Sequence, residues 1–277
     1  MRTASSFLAG AFCALAATAA HAQKPAPLPP GGVPAGWKLV WADEFDKPGL
    51  PDETKWEYDT ALNKQGWHNG ELQYYSHARL RNTRVADGKL RITARRERLK
   101  NMPDYGGQAF TSGRLRMRDK EFTYAYIAVR AKLPCGKGTW PAIWTLGTEG
   151  DWPETGEIDI MEHAGRNPGG VLGGVHTGAF NWPKDTQQNV TKMVKSACSK
   201  FHTYALKWTH DSILIGVDGR NFFEFKNSKD GDVQKWPFDK PQYLTINVAV
   251  GGNFGGEVNP KVFPQTMEID YVRVYEP

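Results

Sequence analysis

From Trp37 onward the chain consists of short runs in which apolar and polar residues alternate, rich in Val, Ile, Tyr, Phe and Trp and punctuated by Gly, Pro, Asn and Asp. A period of two sends successive side chains to opposite faces of a strand, so such a chain buries its apolar half only by packing sheet on sheet. Helical periodicity is nearly absent. Two hairpins are spelled out, one turning at Asp87-Gly88 before KLRITARRE and one at Asp218-Gly219 between ILIGV and NFFEF. Asp-Gly supplies the positive φ angles of a type I′ turn. Leu90, Ile92 and Ala94 share a face opposite Arg91, Thr93 and Arg95, and the same alternation marks Tyr204, Leu206 and Trp208, then Ile213, Ile215 and Val217, then Leu244, Ile246 and Val248. Without a repeat of roughly 20–45 residues, the pattern predicts two packed antiparallel sheets and disfavours a propeller or solenoid.

Residues 1–22 read as a secretory signal peptide: a basic residue, an apolar stretch from Phe7 to about Ala19, and the small-x-small end Ala20-His21-Ala22. Residues 23–36, Pro- and Gly-rich, read as an extended leader, and 37–277 as one domain. The expectation is a soluble protein, secreted or periplasmic and monomeric, with no membrane anchor. Cys13 leaves with the signal, so Cys135 and Cys198 remain as an even pair, expected to form a disulfide in an oxidising compartment. The formal net charge of +5 is mild, and basic residues alternate with acidic ones. Even Arg91, Arg95, Arg96, Arg98 and Lys100 are interrupted by Glu97, the pattern of a solvated strand face and not of a nucleic-acid-binding stripe.

The segment that carries chemistry is GEIDIMEH, residues 156–163. In a regular strand Glu157 and Asp159 point together, while Glu162, five positions after Glu157, points away. A β-bulge around Ile160-Met161 would insert one residue and return Glu162 to the face of the other two. Three acids on one strand face repel one another, which favours a chemical role over a structural one. A solvated edge or a calcium cluster is the alternative that spacing alone leaves open. The outer two acids have backbones roughly 13 Å apart by strand rise, yet their side chains can lean inward over Asp159 to the roughly 5–5.5 Å of a retaining glycosidase. No G-x-S-x-G elbow, H-E-x-x-H or Gly-rich phosphate loop offers a competing chemistry.

At these residues the chain resembles glycoside hydrolase family 16, laminarinase branch, whose signature is E-x-D-x-x-E on a bulged strand. GTWPAIWTLG precedes the motif and GGVHTGAFNW follows it, and WADEF, NGELQYY, NTRVADGKLRITARRE, FTSGR, FHTYALKW, NVAVGGNFGG and FPQTMEIDYVRVY resemble further family blocks. The resemblance implies an all-β jelly roll of two curved antiparallel sheets with a substrate cleft on the concave face. It implies endo-hydrolysis of β-1,3-glucan with Glu157 as nucleophile, Glu162 as acid/base and Asp159 assisting. It also implies Trp140 and Trp144 as cleft walls and Asn69 and Arg114 as partners of sugar hydroxyls; Trp152, just upstream of the motif, and the single histidines His163 and His176 are further candidates for the cleft's border. No cofactor is implied for catalysis. The family often carries a structural calcium on the convex side, and Glu44, Gly88 and Asp270 occupy the matching blocks, Glu44 and Gly88 through main-chain carbonyls. One stretch departs from the family: where it reads Y-G-R-x-E-x-R, this chain has Tyr124-Ala125-Tyr126-Ile127-Ala128-Val129-Arg130, which questions local packing or an outer sugar contact. Two other readings stay open: the same chemistry on mixed-linkage glucan or an algal galactan, and a lectin-like glucan-binding sandwich without turnover.

Overall fold

Strand alternation is realised as two antiparallel sheets. The computed structural model describes residues 32–277, so the stretch expected to be a signal peptide and most of the expected leader lie outside the described residues. An eight-stranded sheet runs in the order Arg220–Lys226, Ser212–Val217, His202–Trp208, Tyr126–Lys132, Gln265–Glu276, Lys89–Ala94 and Thr83–Ala86, with Lys38–Asp43 also paired to Gln265–Glu276. A seven-stranded sheet runs Gln188–Met193, Gly170–His176, Glu157–His163, Thr139–Gly147, Gln242–Val250, Arg114–Met117 and Trp56–Tyr58. A small parallel pair joins Gln73–Tyr75 to Phe110–Ser112.

The inner faces meet in one core. Leu90, Ile92, Leu206, Trp208, Ile213, Ile215, Leu244, Ile246 and Val248 are all fully buried in it. Each buried aliphatic of this kind stabilises the fold by about 1.5–3 kcal/mol relative to exposure. Both Asp-Gly hairpins form, with φ of 54° and 65° at Asp87 and Gly88 and 49° and 75° at Asp218 and Gly219.

The departure at 124–130 concerns the other side of the molecule. Tyr126 and Ala128 face outward from the eight-stranded sheet and form a second apolar cluster with Ala205, Tyr271 and Tyr275. Val33 and Trp37, which close the leader and open the domain, pack against that cluster. Tyr126 and Ala128 therefore serve the packing of the chain's first described segment, while Ala125, Ile127 and Val129 enter the main core.

Cys135 and Cys198 are bonded, with Cα atoms 5.8 Å apart. Cys135 follows the strand Tyr126–Lys132 and Cys198 precedes its neighbour His202–Trp208, with Leu133 N–H donating to Ala197 C=O between them (3.0 Å). Strand pairing thus brings the two cysteines together. His163 lies 3.6 Å from the Cys135 sulfur, but sulfurs joined to each other are not thiolate ligands for a metal.

Candidate active site

The bulge falls where the spacing required it. Against the strand Thr139–Gly147, Asp159 pairs with Trp144 and Met161 with Ile143, so Ile160 is the extra residue. Ile158, Ile160 and Met161 all enter the core, while Glu157, Asp159 and Glu162 turn to the opposite face. Two consecutive apolar residues facing inward are the local signature that reverses the parity of the strand.

That outer face is the floor of a cleft of about 710 Å³. Its aromatic walls are Trp67, Trp140, Trp144, Trp152 and Phe254. Trp140 and Trp144 stand on the strand beside the acids, their alternate positions placing both rings over the floor. The Trp140 indole N–H donates to Glu162 Oε1 (2.7 Å), and the Trp144 N–H donates to Asn247 Oδ1 (2.8 Å). Asn247 in turn donates to the Tyr75 hydroxyl (3.0 Å). Arg114 pairs with Asp59 (2.8 Å) and lies between the rings of Trp67 and Trp144, 4.8 and 4.9 Å from their centroids. Asn69 adopts left-handed backbone (φ 62°), a conformation asparagine tolerates well, and lines the cleft with His68 and Glu71.

The expected site residues therefore converge, Asn69, Arg114, Trp140, Trp144, Trp152 and His176 all lining the cleft with the three acids. His163 does not. It is fully buried behind the sheet against the disulfide, and it accepts a hydrogen bond from Gly169 N–H at Nε2 (3.0 Å), because the bulge turns residue 162 outward and residue 163 inward. Burial pushes its pKa down to about 4, so the ring is neutral.

Sequence reasoning missed Glu71, Trp67, Asp59, Asn247 and Phe254. Asn247 was the most legible, a polar residue on the outward face between buried Ile246 and Val248. Glu71 sits inside NGELQYY without an acidic neighbour in sequence to flag it. It accepts a hydrogen bond from Gln73 Nε2 (2.7 Å), and Gln73 is itself fixed by accepting from Val250 N–H (2.7 Å).

Electrostatics divides the labour among these acids. Burial raises the pKa of Glu157, Asp159, Glu162 and Glu71 alike, because taking a carboxylate out of solvent disfavours its charge. At Glu157 the neighbouring Asp159 carboxyl and Trp152 indole, with the field of Arg114, all favour the ionised form. Asp159 is pushed further up by Glu157 and Glu162, so it keeps its proton. Glu162 has one stabilising donor, Trp140, against two repelling neighbours, Glu157 and Glu71. Both glutamates are raised to about 7, and the difference between them lies in their neighbours, which favour charge on Glu157 and a proton on Glu162. His176 Nε2 lies 3.5 Å from Asp159 Oδ2, and burial pushes the imidazole down to about 4, so at neutral pH this is a contact between uncharged groups and not an ion pair.

A pair of opposite shifts follows. The alkaline limb of kcat/KM reports loss of the acid's proton in free enzyme. Glu71→Gln removes a repulsion that holds the proton on Glu162, so the limb moves to lower pH. Trp140→Phe removes a donor to the carboxylate and moves it to higher pH. Each interaction is worth about 1.4 kcal/mol, or about one pH unit. A pH profile in which both variants shift the same way, or neither shifts, contradicts this division.

On the far face, the strands Lys38–Asp43 and Lys89–Ala94 lie end to end along the same side of Gln265–Glu276, with Asp43 opposite Val272 and Leu90 opposite Ile269. Glu44 and Gly88 thus follow and precede the strand ends that flank Asp270. Glu44 is held by Arg273 (2.7 and 2.8 Å) and Asp270 by Arg130 (2.5 Å). Arginine thus engages both acid side chains, so an ion held by the Glu44 and Gly88 main-chain carbonyls would share the Asp270 carboxylate with Arg130.

Comparison with known proteins agrees with this geometry. The sequence profile of Glycosyl hydrolases family 16 matches residues 70–273. The β-glucanase of Rhodothermus marinus is 47% identical over 86% of this chain and 85% of its own length. The crystal structure of SCLam, a non-specific endo-β-1,3(4)-glucanase, is similar with a TM-score of 0.87 at 50% identity, over 90% of this chain and 96% of that one. The laminarinase from Rhodothermus marinus is similar with a TM-score of 0.81 at 47% identity, over 87% of this chain and 97% of that one.

Proposed function

The chain belongs to glycosyl hydrolase family 16, and from that membership and the cleft we propose that it is an endo-acting β-1,3-glucanase that retains configuration by double displacement. One observation carries the reading: a single bulged residue, Ile160, brings Glu157, Asp159 and Glu162 onto one face of a tryptophan-lined cleft. Glu157 attacks the anomeric carbon from the face opposite the leaving oxygen while Glu162 gives that oxygen its proton, and the glycosidic bond breaks to leave an ester on Glu157. Glu162, now a carboxylate, takes a proton from water as the water oxygen attacks the same carbon. The ester breaks, the β-anomer leaves, and both acids return to their starting states. Asp159 keeps its proton throughout and steadies the charge on Glu157. This chemistry needs no cofactor.

Indole faces suit the apolar faces of glucose rings, and Asn69, Arg114 and Asn247 supply polar partners for their hydroxyls. The similarity to SCLam, whose description spans β-1,3 and β-1,4 linkages, favours mixed-linkage glucan as a secondary substrate. Release of reducing ends from laminarin, lichenan, agarose and carrageenan tests the assignment. Laminarin is expected to be cut fastest and lichenan more slowly; no release from either glucan would overturn it.

Calcium at the junction of Glu44, Gly88 and Asp270 would brace the eight-stranded sheet away from the chemistry. Chelation is then expected to lower Tm with kcat on laminarin unchanged below the transition, and added calcium to restore it. A Tm indifferent to chelator would leave the arginine pairs as the whole of the junction. The disulfide is consistent with an oxidising compartment, and we place the protein in the periplasm or outside the cell. Fractionation that finds the active protein only in the cytosol would refute that placement.

A further inference from the structure

The cleft does not end at the acids. At its far rim stands Trp182, 48% exposed, on the loop between Gly170–His176 and Gln188–Met193. An indole presented to water on a mobile loop would mean little, but this loop is braced. Buried Asn181 donates to Thr177 C=O (3.0 Å) and Gly178 C=O (3.2 Å) and accepts from Lys184 N–H (3.3 Å). Its own N–H reaches Thr186 Oγ1 (3.1 Å), and Lys184 Nζ donates to Gly178 C=O (2.5 Å). Fixing a large apolar face outward forfeits burial free energy unless something comes to cover it.

Two amide side chains of the same loop and strand, Gln187 and Asn189, line the cleft with it. Gln187 Oε1 is buried and has no hydrogen-bond partner among the described residues. A flat apolar face beside an unsatisfied amide oxygen matches a pyranose, which offers an apolar ring face and hydroxyl donors at its edge. The strand Gln188–Met193 is next but one to the acidic strand, so at about 4.8 Å per strand this position lies about 10 Å from the acids. That is beyond the sugars joined by the bond being cut.

We propose that Trp182, with Gln187 and Asn189, forms a distal sugar-binding subsite that holds the chain of a longer glucan and sets the enzyme's preference for long substrates. The inference rests on the β-glucanase reading of the cleft. Its test is kcat/KM for β-1,3-gluco-oligosaccharides from the trimer to the heptamer, for the full chain and for Trp182→Ala and Trp182→Phe. The loss in Trp182→Ala is expected to grow with length, from about twofold or less on the trimer to about tenfold or more on the heptamer, and Trp182→Phe to recover most of it. Tm should stay close to the wild-type value, since the ring is 48% exposed and outside the core. An equal loss at every length, or no loss at any, overturns the subsite while leaving the enzyme assignment intact. If the wild-type chain cuts no β-1,3-glucan of any length, it is the assignment that fails.

Discussion

Replacing Glu157 by glutamine is expected to lower turnover of laminarin by at least about 10⁴-fold, because the amide cannot form the glycosyl ester on which both halves of the reaction depend. The same change should not weaken the fold. Burial raises the folded pKa of Glu157 above its unfolded value, so the ionised group is disfavoured by folding. For such a group the stability present at acid pH is lost as pH rises from the ordinary carboxylate range through the raised value. Glu157→Gln carries no such penalty, so its Tm should exceed the wild type's at mildly alkaline pH and approach it in acid. Loss of activity together with higher stability is the mark of a residue kept for chemistry. Glu157→Gly opens a space in which azide can replace the carboxylate, and the expected product is the α-glycosyl azide, formed by one inversion. Recovery of the β-azide from this variant would exchange the roles of Glu157 and Glu162.

Glu162→Gln is the second large effect, and its size should depend on the leaving group. With laminarin, whose leaving alcohol needs a proton, the loss is expected to be about 10²–10⁴-fold. With an activated aryl β-glucoside of the same sugar, departure needs little help, so ester formation survives and its hydrolysis becomes slow. A burst of aryl alcohol followed by a slow steady state is the expected trace. Azide then captures the ester from the opposite face and gives the β-azide. The alkaline limb of the pH profile should vanish in this variant, since the proton it reports is gone. An equal loss on both substrates would mean that Glu162 positions sugar and transfers no proton.

Much of this arrangement is legible in the sequence. Leu90, Ile92 and Ala94 announced a half-buried strand, and two Asp-Gly pairs announced their hairpins. The excess residue between Asp159 and Glu162 required a bulge that the register places at Ile160. These features are local, decided by the parity of side chains along a strand and by the φ angles a turn demands. Strand order was not legible, because Gln265–Glu276 pairs with Tyr126–Lys132, Lys89–Ala94 and Lys38–Asp43, partners far apart in sequence whose choice depends on the whole core. Glu71 was missed for the same reason: its role appears only when the segment 68–72 folds against Gly251 and Gly252, beside Trp140. His163 was misplaced through its position next to Glu162, although the bulge that exposes one buries the other. Tyr126 and Ala128, legible as departures from the family pattern, acquired their meaning from Val33 and Trp37, which pack across them on the convex face.

The central claim is that Glu157 becomes covalently bonded to the sugar. A 2-deoxy-2-fluoro β-1,3-glucoside bearing an activated leaving group should form the ester rapidly and hydrolyse it slowly, so that mass spectrometry of digested enzyme locates the adduct. One sugar on the peptide containing GEIDIMEH, fragmenting to Glu157, is the expected result. An adduct on Glu162, or steady release of the leaving group with no labelled peptide at any time, would contradict the account.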